Sequence, residues 1–142
     1  MIYSVVDIES TGGAFNEEGI IDIAILRYDG YELIDQFHSL VDPERPIQSF
    51  VSKLTGIKPA MVKGAPKFYQ LAKRIIELTE GAIFVAHNTQ FDYKILQLEF
   101  DRLGYNFERK TLCTVELSQK LLPGLKSYKL GQLTKELGIP LS

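Results

Sequence analysis

A chain of 142 residues with 45% hydrophobic and 24% charged content fits one compact domain with a single core. Sixteen basic against eighteen acidic residues give a net charge of −2, which excludes a protein that coats long nucleic acid by charge alone. The longest apolar runs, such as Ala82 to Ala86, fall far short of the ~20 residues a membrane helix needs, and the lone Cys113 excludes an internal disulfide framework. No basic leader precedes the first acid, so a soluble protein of a reducing, cytoplasmic compartment is expected, with no membrane partner.

Tyr3 to Glu9 combines β-branched residues with terminal acids and predicts a strand. Ile20 to Tyr28 predicts a second, with Ile21, Ile23 and Ile25 alternating against Asp22 and Ala24. Asp29-Gly30 favours a tight hairpin turn into a third strand, Tyr31 to Val41. Pro43 and Pro46 end this antiparallel set, and Ser49 to Leu54 suits a short helix stopped by Gly56.

Pro66 suits a helix first turn, and Phe68, Leu71, Ala72, Ile75 and Ile76 form one apolar stripe that Gly81 terminates. Ala82 to Ala86 reads as a strand covered on both faces, central in its sheet. A helix from about Thr89 to Leu103 follows, capped by Asn88 or Thr89 and stopped at Gly104. Val115 to Leu122, and Tyr128 to Leu137 behind a Ser127 cap, predict two more helices. Strands, then helix, strand and helices imply a mixed α/β sheet with helices packed on it.

Asp7 and Glu9 lie two apart in the first strand, so both carboxylates project from one face. They are either the polar end of a strand leaving the core or two hard oxygen ligands for Mg²⁺ or Mn²⁺. Gly12 and Gly13 serve equally a tight turn or a close ligand approach. Asp92 shares a helix row with Leu96, Glu99 and Leu103 and should tilt toward the sheet. There it is stabilised either by the helix N-terminus or by a metal at the carboxyl end of the preceding strand.

Val6-Asp7-Ile8-Glu9-Ser10-Thr11-Gly12 resembles the first motif, and Val85-Ala86-His87-Asn88-Thr89-Gln90-Phe91-Asp92 the second motif, of the DEDD exonuclease superfamily. The resemblance is to its DEDDh-type, proofreading branch, related to the DNA polymerase III epsilon subunit. Leu54-Thr55-Gly56-Ile57 with Ala65-Pro66-Lys67-Phe68 is similar to the family's intervening segment, and Leu112 to Ile139 to its later helices. The likeness spans essentially the whole chain.

It implies a ribonuclease H-like fold, three antiparallel strands followed by parallel ones. It also implies two divalent metal ions, Mg²⁺ or Mn²⁺, ~4 Å apart, hydrolysing the last phosphodiester of a nucleic-acid 3′ end. Asp7 would bind both metals, with Glu9 and Asp92 as the further catalytic and metal-binding acids. Ile8, Thr11, Gly12, Leu54, Thr55, Asn88 and Phe91 would contact substrate, although the family commonly carries His where Thr55 stands. The expected partners are a single-stranded 3′ end, of DNA in preference to RNA, and a polymerase or a further fused domain. The role would lie in DNA proofreading, replication or repair.

The family's fourth acid and general base form an H-x-x-x-x-D arrangement on a last helix, which would follow Ser142. Neither His38 nor His87 supplies that base, since position 43 is Pro and Asp92 already belongs to the second motif. The chain is therefore expected to be an exonuclease domain lacking its closing helix. A catalytically incomplete nucleic-acid-binding module of the same fold is the alternative, and an internally cutting nuclease a third.

Overall fold

The computed structural model describes residues 1–13, 17–86 and 89–113. The element order is β1 (Tyr3–Ser10), β2 (Ile20–Tyr28), β3 (Leu33–Leu40), α1 (Ser49–Thr55), α2 (Pro59–Val62), α3 (Phe68–Thr79), β4 (Ile83–Ala86), α4 (Thr89–Arg102) and β5 (Thr111–Cys113). One five-stranded sheet runs β3-β2-β1-β4-β5. The first three strands pair antiparallel, and β4 and β5 join in parallel, as the resemblance implies. The expected helices at Val115 to Leu122 and Tyr128 to Leu137 lie outside the described residues.

Strand alternation sorts the sheet into two unlike faces. Val6, Ile8, Ile23, Ile25, Phe84 and Ala86 turn toward α3 and α4, where they meet Phe68, Ile75, Leu78, Ile95, Leu96 and Phe100 in one core. Phe100 and Phe107 stack at 4.7 Å between centroids, 11° from parallel, and Phe84 meets Phe107 edge-on at 6.4 Å. Stacked and edge-on rings add to the stabilisation that burial of their large apolar area already supplies.

α3 follows from its apolar stripe, of which Phe68, Ile75 and Leu78 are buried. Its last turn carries no basic residue of its own. Arg27 of β2 supplies the cation instead, donating 2.9 Å bonds to the carbonyls of Leu78 and Glu80, and the Leu78 carbonyl also accepts the Ser4 hydroxyl.

Three expectations shift by a few residues. Pro66 sits outside α3, before the cap residue Lys67, and its carbonyl accepts a bond from the Asp42 N–H. The β2–β3 connection is the four-residue loop 29–32 rather than a two-residue turn. Asp29 Oδ1 accepts the N–H groups of Tyr31 and Glu32, and this local ring replaces the tighter turn. β3 accordingly starts at Leu33. Finally, β5 and the single turn of α2 were not expected, because three and four residues hold too little periodicity to read.

Candidate active site

Asp7 and Glu9 stand on the face of β1 opposite the helical core. Asp7 is exposed and Glu9 half-buried, while Val6 and Ile8, which alternate with them, are buried. The two acids therefore share one face, as alternation requires. Glu9 lies opposite Asp22 in the antiparallel register with β2. Burial, then the charges of Asp7 and Asp22, hold the Glu9 carboxyl above the usual carboxylate range. Asp22 in turn meets His38 of β3, with Nε2 2.7 Å from Oδ1. Asp22 was not singled out from the sequence, and His38 was weighed there only as the general base and set aside; the β1–β2 register that brings Asp22 across from Glu9 is the signal that would have found it.

Just past Glu9 the β1–β2 ladder slips by one residue, so that Ser10 pairs with Ile20 and Ile21 becomes the extra residue of a bulge. The slip sends Ile20 into the main core and Ile21 into a second cluster with Val51, Ile57 and Val62. α1 and α2 are thereby held against the end of β1 that carries the acids. A clasp closes the same end. Thr11 donates its N–H to the Gly19 carbonyl at 2.9 Å, accepts the Gly19 N–H on its hydroxyl at 3.2 Å, and accepts the Gln48 N–H on its carbonyl at 2.9 Å.

Gly12 follows with φ +76, a left-handed conformation that glycine adopts without strain. A Cβ there would lie 2.9 Å from Val51 Cγ2 and 3.1 Å from Phe50 Cζ. Close packing against α1 thus requires this glycine, whatever binds beside it.

Asp92 opens α4, is 6% exposed and lies in its first turn. Val6 pairs with Ala86, the last residue of β4, so α4 starts from the end of the sheet at which β1 presents its acids. Among the described residues, however, no three His, Cys, Asp or Glu side chains form a group spaced to hold a metal ion. The structure places Asp7 and Glu9 on one face of β1 and Asp92 on a separate element, in the first turn of α4 at the same end of the sheet.

The expected substrate contacts divide in the same way. Leu54 is 83% exposed and Phe91 37% exposed, so neither is core packing. Ile8 is buried in the core and Thr11 is only 1% exposed, leaving backbone as what either can present. Thr55 is half-buried, its hydroxyl bonded to the Val51 carbonyl at 2.8 Å. Asn88 lies outside the described residues. No helix among the described residues is long and apolar enough to cross a membrane.

The family model RNase_T, described as Exonuclease, matches residues 4–142. The chain belongs to this exonuclease family. A DNA polymerase III PolC-type of Caldanaerobacter subterraneus subsp. tengcongensis is 38% identical over 133 residues, covering 94% of this chain and 10% of that protein. The 3′-5′ exonuclease DinG of Bacillus subtilis is 34% identical over 137 residues, covering 95% of this chain and 15% of that protein. The chain thus spans only a small part of the relatives it matches.

Among solved structures, exonuclease X in complex with 5′ overhanging duplex DNA superposes with a TM-score of 0.73 at 26% identity, over 99% of this chain and 75% of that one. A product-bound exonuclease I superposes at 0.80 with 19% identity, over 99% and 39%, and supports the ribonuclease H-like fold alone. Enzymes of this exonuclease family are hydrolytic nucleases, in general dependent on divalent metals. The donors here fit that dependence in kind: carboxylates are hard oxygen ligands, and a cation at Glu9 would offset the repulsion of Asp7 and Asp22.

Proposed function

We propose that the chain is the exonuclease domain of a longer protein and removes nucleotides one at a time from a DNA 3′ end, in proofreading or repair. The observation that carries this is the pair Asp7 and Glu9 on one open face of β1, in a chain of the exonuclease family. Asp7, Glu9 and Asp92 are the acids that would hold two Mg²⁺ or Mn²⁺ ions. When bound, such ions supply Lewis-acid stabilisation of the phosphate and lower the pKa of the attacking water.

The residues of this chain do the rest. Asp7 and Glu9 are positioned by the β1 ladder, Gly12 and Leu54 face the terminal nucleotide, and Phe91 and Asn88 line its pocket. The H-x-x-x-x-D acid and base of the family pattern are proposed to lie beyond Ser142. DNA is favoured over RNA because the exonuclease X neighbour is described in complex with duplex DNA, and a polymerase context because of the PolC-type relative. A noncatalytic binding module of the same fold is the second reading.

The test is digestion of a 5′-labelled single-stranded oligonucleotide by the full-length protein with Mg²⁺. A one-nucleotide ladder that disappears with EDTA and in Asp7→Ala supports the reading. Binding without shortening sinks it in favour of the noncatalytic module, and internal cuts in favour of an endonuclease.

A further inference from the structure

Residues 46–76 carry six basic side chains, Lys53, Lys58, Lys63, Lys67, Lys73 and Arg74, and no acid, in a chain whose net charge is −2. Two of the six are committed elsewhere: Lys67 lies 3.9 Å from Glu44, and Arg74 pairs with Asp35 at 2.8 Å. Lys53, Lys58 and Lys63, on and just after α1 and α2, are exposed and make no ion pair among the described residues. This excess of positive charge sits on the segment that the bulge at Ile21 ties to the end of β1.

The same segment exposes apolar side chains instead of burying them. Val51, Ile57 and Val62 face inward, while Phe50 at 60%, Leu54 at 83% and Met61 at 49% face solvent. Phe50 and Leu54 stand one helical turn apart, with Lys53 on the same side of α1. Phe50 also reaches Gly12, three residues past Glu9, so the ridge begins at the acids and leads away along α1 and α2.

We propose that this surface is a track for single-stranded nucleic acid behind its 3′ end, with Phe50 as a stacking platform for a base, Leu54 as the apolar contact at the terminal nucleotide where the track begins, and Lys53, Lys58 and Lys63 as phosphate contacts. An exposed aromatic ring beside flexible cations is the chemistry that binds a strand without reading its sequence. The occupant is set by charge complementarity and by where the ridge starts, and the proposal rests on the exonuclease reading for that starting point.

The experiment measures anisotropy of a 5′-fluorescein dT12 oligonucleotide with the full-length protein in EDTA, across a salt series, for wild type, Phe50→Ala and Lys58→Gln/Lys63→Gln. Loss of two phosphate contacts reduces the slope of log affinity against log salt by about 1.4. Loss of one stacking platform weakens binding about 5- to 150-fold. The lysine pair, fully on the surface, keeps the test open even where Phe50→Ala disturbs packing at Gly12.

Wild-type affinity and slope in the lysine variant overturn the proposal, and the surface then serves another occupant, such as an acidic protein or a further segment of the longer chain. Adding Mg²⁺ to the same samples separates the two readings. A 3′ ladder with unchanged slopes sinks the track alone, whereas reduced slopes without any ladder sink the exonuclease reading and leave the track standing.

Discussion

Glu9 of β1 stands directly across the antiparallel ladder from Asp22 of β2, with Asp7 two residues along the same face. Like charges directly opposite one another in a sheet are destabilising, and burial of Glu9 adds to the cost. Glu9→Gln removes both effects. The variant is expected to be about 0.2–1 kcal/mol more stable in EDTA, seen as a higher Tm by differential scanning calorimetry. Under the proposed function it should also lose exonuclease activity and most of the stabilisation that added Mn²⁺ is expected to give the native protein. A lower Tm in EDTA would contradict the repulsion.

Gly12→Ala places a side chain at φ +76 and within 2.9 Å of Val51. Strain of this kind costs about 1–3 kcal/mol. The expected readout is a lower urea midpoint at unchanged slope, together with weaker oligonucleotide binding because α1 shifts. A midpoint equal to the native one would show that the turn relaxes freely.

Arg74 holds the Asp35 carboxylate through two bonds of 2.8 and 2.9 Å, and this contact keeps the Asp35 carboxyl below the ordinary carboxylate range. A carboxyl depressed in the folded state contributes stability above its unfolded value of about 3.9, and that contribution fades as pH falls through the lower folded value. Arg74→Met should therefore be less stable than the native protein at pH 7 by under about 1 kcal/mol, since both partners are well exposed. Urea melts at pH 7 and near pH 2.5 check this, and the gap should narrow at the lower pH. A gap that is constant or grows on acidification would refute the ion-pair assignment.

Phe100 is fully buried and touches Phe68, Tyr105 and Phe107 through its ring. Phe100→Ala leaves a cavity beneath the sheet and is expected to cost about 3–5 kcal/mol. Phe100→Leu, which keeps most of the volume, should cost clearly less. Equal losses in thermal melts would show that ring stacking, rather than filled volume, governs this part of the core.

Much of this architecture is written in local pattern. The alternation through Val5 to Glu9, the stripe from Phe68 to Ile76 and the stop at Gly56 all specify backbone states within a few residues, and the structure follows them. Other features depend on contacts between distant segments. Leu112 joins the sheet only because β4 offers a free edge, and three residues cannot announce that. Asp22 becomes a neighbour of Glu9 through strand register, and the single slip at Ile21 decides which isoleucine faces which core. Phe50 reads as an ordinary helix residue until its exposure and its contact with Gly12 are seen together. The acids themselves were legible as a pair on one face, while their grouping with Asp92 depends on how a helix start meets a strand end.

The Thr11–Gly19 clasp has a consequence for how such a domain diversifies. Because two hydrogen bonds join Thr11 to Gly19 and a third ties Thr11 to Gln48, the number of residues between Thr11 and Gly19 is uncoupled from the placement of Asp7 and Glu9. Residues can be gained or lost inside that hoop without moving the acids. The rim beside the acids can therefore change in length while Asp7 and Glu9 keep their places.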